Sequence, residues 1–302
     1  MKRDFLRLRD FSSEEIDHLL KRALEFKSGK DASKCPLIGR SIGLIFEKAS
    51  TRTRVSFEVG IYQLGANSIY LNPKEIQLGR GETIHDTAKT LSRYLHAVVI
   101  RTFSHNILID FAANSSIPII NGLSDLHHPC QALADLMTVI EKKVKLRGIN
   151  LAYIGDSNNV ANSLMEASSR MGINLTIACP NGYDPDPDVL KEAKASAKSE
   201  IKIVRDPKDA AMGADVLYTD VWVSMGQEKE EKQKKKKFKA YQLNSKIVSY
   251  AKKDAIVLHC LPAHRGEEIT DDVIDSPQSA VFDQAENRLH IQKALLEFLL
   301  SA

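Results

Sequence analysis

The chain has 302 residues, enough for two domains of ordinary size, and 43% of them are hydrophobic and 27% charged, the balance of a globular protein. No apolar run reaches the roughly 20 residues of a membrane span, and Met1–Leu6 lacks the apolar core of a secretory signal. A net charge of only +3 argues against a globally basic nucleic-acid binder. The four cysteines, Cys35, Cys130, Cys179 and Cys260, form no C-x-x-C pair, which argues against a metal site and a disulfide framework and predicts reduced thiols in the cytoplasm.

Short apolar runs alternate with helical periodicity along the whole chain, the pattern of α/β layers. In chain order the expected strands of the first half are Ser41–Phe46, Asn67–Leu71, Ala97–Thr102 and Ile117–Asn121. Those of the second half are Asn150–Ile154, Asn174–Ala178, Ile201–Val204, Val216–Thr219, Ala255–Leu258 and Ala280–Phe282. Helices are expected at Ser13–Lys27, Arg52–Leu64, Thr83–Tyr94, Gln131–Lys142, Val160–Met171, Pro187–Ala197 and Glu286–Leu300. The polar string Glu141–Gly148 ends in Gly before a fresh strand, which predicts two domains, 1–147 and 148–302. Asn150–Met171 then reads as strand, turn and helix, the opening of a doubly wound domain, without the G-x-G-x-x-G of a dinucleotide site.

The densest chemistry follows the first strand. Ser50 and Thr51 stand where the cap of the Arg52–Leu64 helix belongs, and Phe57, Ile61 and Leu64, with Val55 and Val59 beside them, predict a buried helix. A helix start offers free N–H groups and partial positive charge, and Arg52 adds a forked donor, so Ser50, Thr51 and Arg52 predict a phosphate site. Arg54, two residues on, does not share that face and can pair with Glu58 at i,i+4.

Three further strings carry chemistry. His128 and Gln131 flank Pro129 and Cys130 at a helix start; the imidazole can donate to a carbonyl oxygen and the amide can donate and accept. Cys260 follows a strand and precedes Leu261-Pro262, a place for a nucleophilic or an inert thiol. Asp220 also follows a strand and suits an ammonium group, and Gly226 lets its segment move. Asn158 or Asn159 can supply an amide at the second-domain turn. Seven lysines, Lys229, Lys232, Lys234, Lys235, Lys236, Lys237 and Lys239, follow one another closely, and Glu228, Glu230 and Glu231 give i,i+4 partners to Lys232, Lys234 and Lys235, which predicts a solvated helix rather than a nucleic-acid surface.

Taken together, S-T-R-T-R at Ser50–Arg54, R-T at Arg101–Thr102, H-P-x-Q at His128–Gln131 and H-C-L-P at His259–Pro262 resemble the carbamoyltransferase family in order and spacing. The string D-x-x-x-S-M-G at Asp220–Gly226, and Cys260 in place of a proline, resemble the ornithine branch of that family; Ala285–Arg288 is similar to its closing motif. The resemblance implies two doubly wound parallel-sheet α/β domains. The first would bind carbamoyl phosphate and the second L-ornithine, with the last helix, about 286–302, packing back on the first. It also implies a homotrimer with shared active sites, Gln77 reaching a neighbour's site, and no metal or organic cofactor. Neither a nucleic acid nor a membrane is an expected partner.

On that resemblance, Ser50, Thr51, Arg52, Thr53, Gln77, Arg101, His128, Pro129, Cys130, Gln131, Cys260, Leu261 and Arg288 would hold carbamoyl phosphate. Asn159, Asp220, Ser224 and Met225 would hold ornithine, and Cys260, Arg101 and His128 would be catalytic, with Cys260 accepting the amine's proton. The chemistry has matching needs: cations for the phosphate, donors for the carbonyl oxygen, acceptors for the carbamoyl NH2 and a means to deprotonate the amine. A different amine acceptor, putrescine or N-acetylornithine, is the alternative reading.

Overall fold

The computed structural model describes residues 2–30, 34–74, 81–223 and 231–301. They pack as two units, Met1–Met137 with Glu286–Ala302, and Thr138–Ala285.

The first unit begins with α1 (Ser13–Lys27), whose Ser12 cap and Glu15 satisfy each other's backbone N–H groups. Its sheet holds β1 (Ser41–Phe46), β2 (Asn67–Leu71), β3 (Ala97–Arg101) and β4 (Ile119–Leu123), all parallel, in the order β2-β1-β3-β4. The inner strands are nearly continuous apolar runs because helices cover both faces of a parallel sheet; the edge strand β2 is largely exposed. The crossovers are α2 (Thr51–Gln63), α3 (Ile84–Tyr94) and α4 (His105–Asn114), and α5 (Pro129–Lys143) follows β4.

The second unit repeats the plan with β5 (Asn150–Ile154), β6 (Asn174–Ala178), β7 (Ile201–Val204), β8 (Val216–Thr219) and β9 (Ile256–His259), in the parallel order β7-β6-β5-β8-β9. Its helices are α6 (Asn159–Met171), α7 (Pro187–Ser196), α8 (Pro207–Ala211), α9 (Glu231–Phe238), α10 (Ser245–Val248) and α11 (Asp271–Ile274). Asp186 caps α7 and Asp206 caps α8, each with proline next in line, so the cap oxygens meet N–H groups and the missing proline N–H costs nothing. The last helix, α12 (Val281–Leu300), runs on into the first unit, where Arg22 donates to Glu297 at 2.6 and 3.0 Å and Phe298 packs on Phe11.

In each sheet the first strand lies inside the order, so the winding reverses beside it: between β1 and β3, and between β5 and β8. Open α/β sheets place ligands in the crevice at the carboxyl ends of such strands.

Several expectations need correction. Ala280–Phe282 is no strand; Val281 and Phe282 begin α12, whose buried stripe continues through Gln284, Asn287 and Arg288, polar residues that an apolar periodicity cannot reveal. The fourth strand starts at Ile119 rather than Ile117, after Pro118, which has no N–H for a ladder. In α2, Phe57 and Ile61 are buried but Val55 and Val59 are exposed, because they stand on the opposite face of the helix turn. The lysine helix is not wholly solvated: Lys234 and Phe238 are buried.

Candidate active site

At the switch of the first unit, β1 delivers the loop to Ser50 and β3 delivers Arg101. Phe46 and Arg101 are register partners, and the Glu47 N–H donates to the Arg101 carbonyl at 2.8 Å. Glu47 in turn accepts from the Thr102 hydroxyl, which ties the two strand ends together. Ser50 caps α2, its Oγ accepting from the Thr53 N–H at 3.2 Å. Thr51 is exposed at the first helical position and Arg52 half-buried, so the remaining N–H groups and the guanidinium stand at one helix start.

Behind that start lies a buried chain of hydrogen bonds. Arg288 Nη2 donates to Thr53 Oγ1 at 2.7 Å and Nη1 to Gln131 Oε1 at 3.0 Å. Gln131 Nε2 donates to Asp135 Oδ1 at 2.8 Å, one helix turn on. Thr53, Gln131, Asp135 and Arg288 are all at least 98% buried, so a charge-assisted bond here is worth more than one in water. Because its oxygen takes Arg288 and its nitrogen gives to Asp135, the Gln131 amide has a fixed orientation.

His128 stands beside this chain at the head of α5. Burial, with Arg288, Arg101 and Arg52 near it, holds its pKa well below the ordinary histidine value, so the ring is neutral and keeps one N–H donor. Pro129 opens α5, as its fixed φ favours. Cys130 points into the core, its thiol donating to the Asn121 carbonyl at 3.4 Å and pushed up to about 12 by burial; only its backbone is left for a ligand. Arg54 pairs with Glu58 at 2.9 Å and lies 3.7 Å over the Tyr70 ring, away from this chemistry.

The switch of the second unit carries the opposite charge. β5 is followed by Gly155, whose φ of +146° a side chain would resist, and the turn runs to Asn158. Thr219 Oγ1 donates to the Ile154 carbonyl at 2.7 Å and joins the ends of β8 and β5. Asp220, next in the chain and 95% buried, accepts from Asn158 Nδ2 at 2.7 Å and from the Cys260 thiol at 2.9 Å. Asn158 Oδ1 meanwhile caps α6 through Val160 N–H at 2.9 Å and accepts from Tyr153 Oη at 3.2 Å. Asn159 is the first residue of α6 and half-buried.

Cys260 is set by its neighbours. The His259 N–H donates to Gln284 Oε1 at 2.9 Å, and His259 Nδ1 accepts from the Leu261 N–H at 2.9 Å. The ring proton therefore sits on Nε2 and donates to the buried Glu268 at 3.1 Å. This holds Leu261 at a φ of +56°, unusual for a branched side chain, before a cis bond to Pro262. Asp220, His259 and Cys260 bring one ligand-type atom each to within 4.8 Å, as do His264, Glu267 and Glu268. Both ring nitrogens of His259 are taken, and Glu267 and Glu268 already serve Lys235 and the His264 N–H, so neither group is a ready metal site.

Gln77, Ser224 and Met225 lie outside the described residues. The sequence reading left Asn158 undecided against Asn159; a helix start one residue earlier makes Asn158 the cap, and its amide the one on Asp220. It missed Asp135, whose only local signal was the i,i+4 spacing from Gln131.

The aspartate/ornithine carbamoyltransferase carbamoyl-P binding domain profile matches residues 3–141, and the Asp/Orn binding domain profile matches residues 147–299. An ornithine carbamoyltransferase of Syntrophus aciditrophicus is 51% identical over 99% of this chain and 100% of that protein. One of Thermococcus kodakarensis is 52% identical over 99% of this chain and 96% of its own length. Among solved structures, ornithine carbamoyltransferase from Pyrococcus furiosus superposes with a TM-score of 0.95 at 49% identity, covering 99% of this chain and 97% of that one. The anabolic ornithine carbamoyltransferase of Campylobacter jejuni gives 0.94 at 41% identity, covering 99% of both. With the site strings in register and both domain profiles matched, the chain belongs to the aspartate/ornithine carbamoyltransferase family.

Proposed function

We propose that the protein transfers the carbamoyl group of carbamoyl phosphate to the δ-amine of L-ornithine, giving L-citrulline and phosphate. The observation that carries the ornithine reading is the Cys260 thiol on the buried Asp220 carboxylate at 2.9 Å. A cationic amine acceptor calls for such a carboxylate, whereas an acidic acceptor calls for cations in its place.

In this reading the Ser50–Thr53 helix start, Arg52 and Arg101 hold the phosphate, with the backbone of Pro129 and Cys130 alongside. Arg101, Thr53 and neutral His128 donate to the carbonyl oxygen as it gains negative charge, and an uncharged imidazole does this without giving up its proton. Gln131 and the Cys260 and Leu261 carbonyls accept from the carbamoyl NH2, and Arg288 holds Gln131 and Thr53 in place. Asp220, with Asn159, Ser224 and Met225, takes the amino acid. The ammonium loses one proton to Cys260 sulfur as the thiol gives its own to Asp220, the neutral nitrogen adds to the carbonyl carbon, and as the C–O bond to phosphate breaks the nitrogen's second proton passes to the departing phosphate oxygen.

We also read the active assembly as a homotrimer with shared sites. The exposed Val55, Val59 and Tyr62 on α2 are the kind of apolar row a subunit contact covers, and the mass in solution tests this. The free thiols fit the reducing cytoplasm. Citrulline formation from carbamoyl phosphate with L-ornithine, putrescine, N-acetylornithine and L-aspartate as parallel acceptors tests the function. Turnover with ornithine alone is the expected result. Turnover with another acceptor instead removes the ornithine assignment.

A further inference from the structure

Within the lysine-rich α9, most of the cations do what a solvated helix requires. Lys232, Lys236 and Lys237 are exposed, and Lys235 is shared between Glu231 and Glu267. Lys234 differs: it is 97% buried, and its Nζ donates at 2.7 Å to Asp156 Oδ2, itself 92% buried. A buried ion pair is seldom a net gain in stability over apolar packing, so its use must be sought in what it holds still.

What it holds is the turn at the carboxyl end of β5. The Asp156 carbonyl accepts from Tyr153 Oη at 2.8 Å and from the Asn158 N–H at 2.7 Å, so Asp156 is the hub of that turn. Two residues on, Asn158 spans the switch to Asp220, and Asp220 receives the Cys260 thiol. Lys234 also answers an electrostatic problem. Asp156 and Asp220 both lie at the switch crevice, and a cationic substrate is drawn to whichever carboxylate lacks a counter-charge. With Lys234 on it, Asp156 is neutralised, and Asp220 carries the attraction for the amine.

We propose that Lys234 is a positioning residue for the amino-acid substrate: by pairing with Asp156 it fixes the Gly155–Asn158 turn and leaves Asp220 to engage the ornithine amine. This rests on the carbamoyl-transfer reading above, whose own test is turnover by the unaltered protein.

The experiment is steady-state kinetics on Lys234→Met, Lys234→Arg and, as a surface control, Lys236→Met, together with carbamoyl phosphate binding in the absence of ornithine. If the unaltered protein makes no citrulline, the functional reading fails before this inference is reached. Given turnover, Lys234→Met raises the ornithine KM by about tenfold to a hundredfold, the range expected when a reacting group is displaced by about 1 Å. Its carbamoyl phosphate affinity stays within about twofold, because the cations and N–H groups that hold the phosphate belong to the other unit and the Cys260 and Leu261 contacts are backbone carbonyls. Lys234→Arg, which keeps the charge, recovers most of the loss, and Lys236→Met changes nothing. An ornithine KM unchanged in Lys234→Met overturns the proposal. So does a variant in which carbamoyl phosphate binding falls along with ornithine binding, since that marks a general loss of fold. Should Lys234→Met fail to fold, an Arg variant with full stability and an ornithine KM as poor as Asp156→Asn also overturns it.

Discussion

The two switch points use one architecture for opposite chemistry. Each lies where an inner first strand and its later-added neighbour diverge, and each ends in a loop that caps a helix: Ser50 on α2, Asn158 on α6. Around the first stand Arg52, Arg101, Arg288 and a histidine they help keep neutral; around the second stand Asp220, an amide and a thiol. The backbone thus supplies a helix start at a switch point twice over, and the side chains make the first cationic and the second acidic. The caps mark the same divergence, since Ser50 turns its oxygen to its own helix, whereas Asn158 caps with its oxygen and keeps its amide N–H for Asp220.

The sharpest way to break the symmetry is to remove the charge that organises one side. Arg288→Met strips Thr53 and Gln131 of their buried partner and leaves Asp135 without the chain that answered it. Breaking a buried charged network costs about 3–5 kcal/mol of stability, and with Thr53 and Gln131 no longer held in place carbamoyl phosphate affinity falls by about a hundredfold, the effect of a misplacement of about 1 Å. Calorimetric titration checks it. If affinity survives within about threefold, the chain from Asp135 to Thr53 does not shape the anion site.

A change of the same kind in the second unit acts on a different quantity. Cys260→Ser and Asp220→Asn leave carbamoyl phosphate binding within about twofold but lower kcat by about 10²- to 10⁴-fold, the usual worth of a proton-transfer group. Equal losses of carbamoyl phosphate affinity in these variants would erase the division of labour between the two switches.

Acid separates the units in a further way. Burial, with Arg7 nearby, pushes His127 down to about 2, and His128 is also held well below 6.5. Both rings are neutral in the fold, so above pH 6.5 neither state binds their protons. As pH falls below 6.5 the unfolded chain takes up protons that the fold refuses. Each ring then removes up to about 1.4 kcal/mol of stability per pH unit until it protonates in the fold, near pH 2 for His127. Denaturant midpoints between pH 7.5 and 5 therefore decline. His127→Phe, which keeps a ring against His105 at 5.1 Å, makes the decline shallower by one histidine's share. An unchanged slope in that variant means His127 does not reject its proton.

What the sequence disclosed and what it hid follow from distance along the chain. The Ser50 cap, the Arg54–Glu58 pair and Pro129 at a helix start are local, so spacing alone gave them. Strand positions were legible because a doubly covered parallel sheet demands unbroken apolar runs. The links that turn these pieces into a site were not legible: Arg288 reaches Gln131 and Thr53 across 157 and 235 residues, and Lys234 reaches Asp156 across 78. Polar burial hid α12's start as well, since Gln284 and Arg288 look like surface residues until their partners are known.

The smallest expected effect tests the finest distinction, that between two arginines two residues apart. Arg52 and Arg54 have the same chemistry, yet about 200° of helix rotation separates them, so only one can face the anion at the helix start. Arg54 is exposed, with Glu58 at 2.9 Å and the Tyr70 ring at 3.7 Å to occupy it. A solvent-screened i,i+4 pair adds little, so Arg54→Ala moves the melting temperature by about 1 °C or less and leaves carbamoyl phosphate affinity within about twofold. Arg52→Ala, by contrast, removes a forked donor from the phosphate and costs about a hundredfold or more in affinity. The two variants, titrated side by side, separate local geometry from general positive charge. If Arg54→Ala weakens carbamoyl phosphate as much as Arg52→Ala, the site attracts its anion through the summed field of the basic string, and the helix-start geometry drawn from Ser50 and Thr53 is not what selects it.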